Sequence, residues 1–301
     1  MRLAAAILTA GLLREVSLRY CWLVLFGLLI APTPAPGAES YRVERLAEGV
    51  YAAIAVTGGE ATSNAFFVVG DQYVIAGGAH LSKAGAADLV SAIARVTDRP
   101  LRYFILPHHH RGYTAVDFDL PAGCEAVMSV QTWQILSSEV RSIEYPVLFF
   151  SEGLTLKAGK GKTVILTNLG KGHADGDTLV YLPESKVLFP SDLVYVHSVG
   201  YIGDGHMTDW VLALEFISRM EISQVIPGFG PVSKPEVILE FRDYLKSFLS
   251  EVLKHLERGD SLEKTVAEFD LPTYRDWTGY QRLTPANVKR AYLDLKATVL
   301  N

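Results

Sequence analysis

Apolar and polar positions alternate with two different periods along this chain, and the changes of period mark its elements. Residues 41–56 carry alternating and β-branched side chains and read as one or two strands. Residues 64–70 and 72–77 are short apolar runs separated by Gly70-Asp71, the signature of a hairpin. In residues 82–96 the apolar positions Ala84, Ala87, Leu89, Val90, Ile93 and Ala94 recur at helical spacing behind Ser82, a suitable N-cap. Strands follow at 101–106 and 125–130, then a helix at 131–140. A strand at 163–167 precedes a second hairpin, with strands at 178–182 and 187–189 around a turn at 183–186. A helix at 208–220 leads into a short strand at 224–226, and the tail is helical over 235–258, 262–269 and 285–299.

Polar groups gather where the strand-like runs end. The run at 101–106 delivers Pro107-His108-His109-His110-Arg111-Gly112-Tyr113. Histidines at i and i+2 of extended chain point the same way, so His108 and His110 are placed to share a metal ion while His109 points away. The strand at 163–167 leads to Gly172-His173-Ala174-Asp175-Gly176-Asp177, and the strand at 187–189 leads to Ser191-Asp192. The run at 224–226 enters Pro227-Gly228-Phe229-Gly230. In layered α/β folds ligands collect at the carboxyl ends of strands, where backbone groups are free.

Composition narrows the classes. With 49% hydrophobic and 20% charged residues in 301, the chain suits a large globular core. The first 38 residues have the order of an export signal: Arg14 and Arg19, an apolar run at 21–31, then a Pro/Ala/Gly segment ending at Ala38. The expectation is a cleaved leader at 1–38, a periplasmic or secreted protein, and no stable membrane span after cleavage. Cleavage would remove Arg2, Arg14, Arg19 and Glu15, leaving a net charge of −7 in place of −5. An acidic chain without a basic cluster is a poor nucleic-acid binder. Cys21 would leave with the leader, so Cys124 could form no internal disulfide and is expected to pack as a small hydrophobe.

Taken together, the four blocks resemble the metallo-β-lactamase superfamily, most closely its glyoxalase II-like hydrolase branch. That family shows H-x-H-x-D-H, G-H-x-x-G-D, a strand ending in G-D, and P-G-H-G, in this order. The resemblance runs from Tyr41 to Gly230 and implies a four-layer αβ/βα sandwich with a metal site between two sheets. Residues 39–301 are read as one domain, with a helical extension over about 234–301. In the family the first metal takes the H-x-H histidines, the G-H histidine and a bridging aspartate, which correspond here to His108, His110, His173 and Asp192. The private ligands of the second metal are replaced by Gly112, Tyr113 and Phe229, and Gly77 stands where a supporting aspartate is usual.

The resemblance therefore implies a single-metal centre. Its first form is a zinc hydrolase whose bound hydroxide attacks a small ester, thioester or lactone. The alternatives are a mononuclear iron oxygenase resembling persulfide dioxygenase, using His108, His173 and Asp192, and a non-catalytic binding protein on the same fold. Tyr113 is the candidate oxyanion or proton donor. Asp177 is expected to order the His173 loop, Phe229 to fill the vacated second site, and His197 and His206 to lie near the pocket. His255 is expected on a solvated helix face. The partner expected is a small molecule, with oligomerisation left open.

Overall fold

The computed structural model describes residues 39–79, 82–111, 119–139 and 145–299. Glu39–Asn301 form one compact unit. Its first sheet is built from β1 (Tyr41–Ala47), β2 (Val50–Ala55), β3 (Ala65–Val69), β4 (Val74–Gly78), β5 (Leu101–Ile105), β6 (Glu125–Ser129) and β7 (Val147–Phe150), in that spatial order. The first four strands pair antiparallel, and β4 to β7 run parallel. The second sheet has the order β12 (Gln224–Phe229), β11 (Val187–Tyr195), β10 (Thr178–Leu182), β9 (Lys162–Asn168), β8 (Gly153–Gly159).

Period-two alternation sorts side chains into layers. Phe66, Ile75, Ile105 and Val127 of the first sheet meet Leu156, Val164, Val180, Phe189 and Ile226 of the second in one buried core. Their strand neighbours point outward. Phe67, Ala76 and Phe104 pack under α1 (Lys83–Ala94), while Ala126 and Met128 pack with Leu136 of α2 (Val130–Ser137). On the far side, Leu179 and Leu188 pack with Trp210, Leu214, Phe241, Phe248 and Val288 from α3 (Met207–Ile217), α4 (Glu236–Glu257) and α6 (Tyr280–Val299). The result is a four-layer αβ/βα sandwich. The tail helices, which include α5 (Leu262–Glu268), are thus its fourth layer and share its largest core.

Three sequence expectations need correction. The strands β7 and β8 fall in a stretch left unassigned, although Leu154, Leu156 and Ala158 of β8 alternate inward. The last helix starts at Tyr280, five residues before the proline expected to open it. Pro285 lies inside the helix, where the lost N–H is offset by the burial of Tyr280, Val288, Ala291 and Tyr292. His255 is not solvated: it is 2% exposed and its Nδ1 lies 2.9 Å from Asp260 Oδ2. Among the described residues, no helix is long and apolar enough to cross a membrane.

Candidate metal centre

The loop after β5 is stitched to both sheets. Leu106 N donates to Val127 O of β6 at 2.9 Å, and Pro107 O accepts from Thr178 N of β10 at 2.8 Å. This fixes the start of the run His108-His109-His110, all three of which are buried. His109 turns away and its Nε2 meets Glu139 Oε1 at 2.8 Å. His173 arrives on the loop after β9. Asp177 closes that loop: its Oδ2 accepts from Ala174 N at 3.0 Å, and its own carbonyl accepts from Leu169 N at 2.8 Å. Burial, above all, pushes the Asp177 carboxyl well above its ordinary range, with Asp192 and Asp175 adding to the rise and backbone N–H groups of Ala174 and His173 opposing it.

Asp192 comes from a distorted part of β11. Its pairing with β12 shifts register on both sides of Ser191, whose φ is +50°. Such irregularity re-aims the next side chain at a modest cost in backbone strain. Asp192 Oδ2 then lies 3.9 Å from His108 Nε2 and 3.7 Å from His173 Nε2, and Tyr195 O–H donates to the same oxygen at 3.0 Å. Only glycine fits beside it, because a Cβ on Gly228 would stand 2.3 Å from Asp192 Oδ1. Asn64 locks this corner across the sheets, its Nδ2 donating to Pro227 O and Gly230 O at 2.8 Å each.

His108, His110 and His173 offer ring nitrogens that all lie within 4.8 Å of one another. Two of these, His110 Nε2 and His173 Nε2, are 2.7 Å apart. Tetrahedral nitrogen ligands about 2.0–2.1 Å from zinc stand roughly 3.3 Å apart, a spacing inside the 4.8 Å within which these nitrogens gather, and a shared ion would part the close His110–His173 pair. The donor chemistry also fits: neutral imidazoles beside a carboxylate suit zinc or iron. His110 is oriented from behind, with Asp204 Oδ2 3.0 Å from its Nδ1. That contact, first, holds the Asp204 carboxyl below its ordinary value. Trp210 packs edge-on against His173, with ring centroids 5.2 Å apart.

No protein-family model matches the chain, and no curated protein matches it either. Solved structures do. DIM-1 metallo-beta-lactamase is 21% identical with a TM-score of 0.59, covering 69% of this chain and 98% of that one. A metallo-beta-lactamase from Pontibacter korlensis is 20% identical with a TM-score of 0.59, covering 68% and 99%. VMB-1 is 18% identical with a TM-score of 0.58, covering 70% and 99%. The fold is that of the metallo-β-lactamases.

Within this metallo-β-lactamase fold, the four residues expected around the first metal come together, the histidines from the ends of β5 and β9 and Asp192 from inside β11, which continues to Tyr195 where the sequence suggested an end at Ser191-Asp192. Gly112 and Tyr113 lie outside the described residues. Phe229, 39% exposed, stands at the rim of a cavity of about 420 Å³ that reaches Asp192 and Tyr195. At Gly77 an aspartate has no room, since a Cβ would meet Phe66 Cε1 at 2.7 Å and Ile105 Cβ at 2.9 Å. His206 lines a second cavity of about 300 Å³ together with His110 and Asp204, and its Nε2 lies 3.2 Å from Asp175. His197 is not in either cavity; it faces Glu240 at 3.5 Å and the Trp277 ring at the surface. The positive φ of 48° at His197 turns its side chain out of the line of β11.

Sequence reasoning missed Asp204, Tyr195, Tyr201 and Asn64. Tyr195 was within reach, three residues after Asp192 in the same β-branched run. Asp204, between Gly203 and Gly205, gave a turn signal and nothing more. Cys124 is buried as expected, and burial pushes its thiol up to about 12, which leaves it inert.

Proposed function

We propose that this chain is an exported metal-dependent hydrolase of the glyoxalase II-like kind, with one zinc ion held by His108, His110 and His173 and with Asp192 beside them. The observation that supports this reading is the convergence of three buried imidazoles within 4.8 Å on one point at the strand ends. Zinc held there would acidify bound water and polarise a carbonyl of a small ester, thioester or lactone. The chain's own groups do the rest. Asp204 fixes the orientation of His110, and Tyr195 restrains Asp192.

The 420 Å³ cavity that opens on Asp192 is walled by Tyr195, Tyr201, Phe229 and Leu283, and its polar groups include Ser63 and Arg282. That mixture suits a small, partly apolar substrate with one polar end. Burial, with a smaller contribution from the charge of Asp204, raises the Tyr201 phenol above its ordinary value. It therefore stays protonated at neutral pH and can serve as a hydrogen-bond donor, not as a base. Export rests on the order of charged, apolar and small-residue segments in residues 1–38, and N-terminal sequencing of the mature protein checks it.

One further observation favours a second reading. Asp192 Oδ2 faces His108 and His173 at 3.9 and 3.7 Å, the donor set of a two-histidine, one-carboxylate iron oxygenase. Metal analysis of protein purified without added metal separates the two. About one zinc per chain supports the hydrolase, one iron per chain transfers the site to the oxygenase, and no bound metal overturns both.

A further inference from the structure

We propose that the last helix is part of the metal centre, with Asn287 acting as a positioning residue that sets Asp204 on His110 through residues 200–205. The inference rests on the reading of His108, His110 and His173 as metal ligands. Asn287 is completely buried on α6, and both ends of its side chain are spent on one short segment. Its Nδ2 donates to Gly200 O and its Oδ1 accepts from Ile202 N, each at 3.0 Å. One helical turn on, Arg290 Nε donates to Gly205 O at 3.0 Å. A single face of α6 therefore holds both ends of residues 200–205.

Asp204 lies between these two anchors. Its side chain is 57% exposed, so packing does little to place it, and glycines flank it on both sides. Its carboxylate nevertheless meets the buried His110 Nδ1 at 3.0 Å. The backbone aims this carboxylate and α6 holds that backbone, while the charge of Arg290 on the same helix, with that of Arg111, also acts on it directly. Carboxylates behind metal-binding histidines fix ring orientation, and their loss costs roughly 10–100-fold in metal affinity. The helix at the end of the chain thus acts on the strand-end site through four links: Asn287, the 200–205 backbone, Asp204 and His110.

Zinc affinity, measured by competition with a chromophoric chelator, tests this on the full chain alongside the thermal stability of the metal-free proteins. Asp204→Ala is expected to lower zinc affinity roughly 10–100-fold. Asn287→Ala and Arg290→Ala should each show part of that loss, and neither should weaken binding further once Asp204 is already alanine. Equal affinity in wild type, Asn287→Ala and Arg290→Ala overturns the proposal, as do losses that add in full to that of Asp204→Ala. If Asn287→Ala does not fold, Arg290→Ala carries the test, because that side chain is 30% exposed and already borders the open second cavity. A wild type that takes up no zinc or iron overturns the metal reading itself, and this proposal with it. That outcome is distinct from equal binding by all variants.

Discussion

Two groups of ligand-type side chains in this chain differ in what they gather: three buried histidines in one, and a buried histidine with two carboxylates, one of them exposed, in the other. Among the described residues, His108, His110 and His173 form one set able to hold a metal, and His255, Asp260 and Glu268 form another. In the second set the positive charge is already present. Asp260 receives Lys264 Nζ at 2.7 Å, Arg258 Nε at 3.1 Å and His255 Nδ1 at 2.9 Å. Those contacts, led by Lys264, hold its carboxyl down to about 2, and Tyr292 O–H ties the Asp260 carbonyl to α6. This group closes the corner between α4 and α5. In the first set, imidazoles face one another, and the partners of Asp192 include His108, His173 and the Tyr195 phenol. The lesson is that ligand-type residues in proximity do not define a metal site; the source of the compensating charge does.

His173→Ala tests that distinction most severely. It removes a fully buried ring at the centre of the first set. If metal supplies the charge there, a ligand concentration about a thousandfold above Kd stabilises the wild type by roughly 4 kcal/mol, and the variant gains nothing. Melting with and without added zinc reads this directly, and a variant that keeps the full metal-dependent shift would remove the basis for calling the first set a metal centre.

The first set was legible because its histidines make a dense local pattern, H-x-H and G-H, behind predicted strands. The strands were legible as short apolar runs such as residues 64–70 and 178–182, while their arrangement in four layers was implied by the resemblance to the metallo-β-lactamase superfamily. The second set was misread. Lys254-His255-Leu256-Glu257 looks like an exposed helical stripe, and Arg258 and Asp260, which meet the buried His255, come from beyond the helix end. Asp204 was invisible for a related reason. Its role depends on α6 more than eighty residues later, and a lone aspartate between glycines has no local pattern.

His255→Ala sharpens the comparison from the other side. It leaves Asp260 with one fewer donor in a buried corner and opens space against α5, a loss of about 2 kcal/mol. For a chain of this size that is roughly 4–8 °C in Tm. Metal stoichiometry should not change. A fall in bound metal would mean that the second set is a metal site after all.

The smallest effect concerns acid. The Asp260 carboxyl titrates near 2 in the folded chain, below its ordinary value of 3.8. A depressed carboxyl adds stability that is fully present above the ordinary value and is lost as pH falls from about 4 toward 2. Asp260→Asn cannot make that contribution at any pH. Wild type should therefore be the more stable at neutral pH, and its advantage should shrink over this window. Asp204, also depressed, titrates in both proteins and cancels in the difference. Urea unfolding at steps between pH 5 and pH 2 measures the gap. A gap that stays constant to pH 2 would mean that Asp260 is held by geometry without charge, and the contrast between the two sets would lose its electrostatic basis.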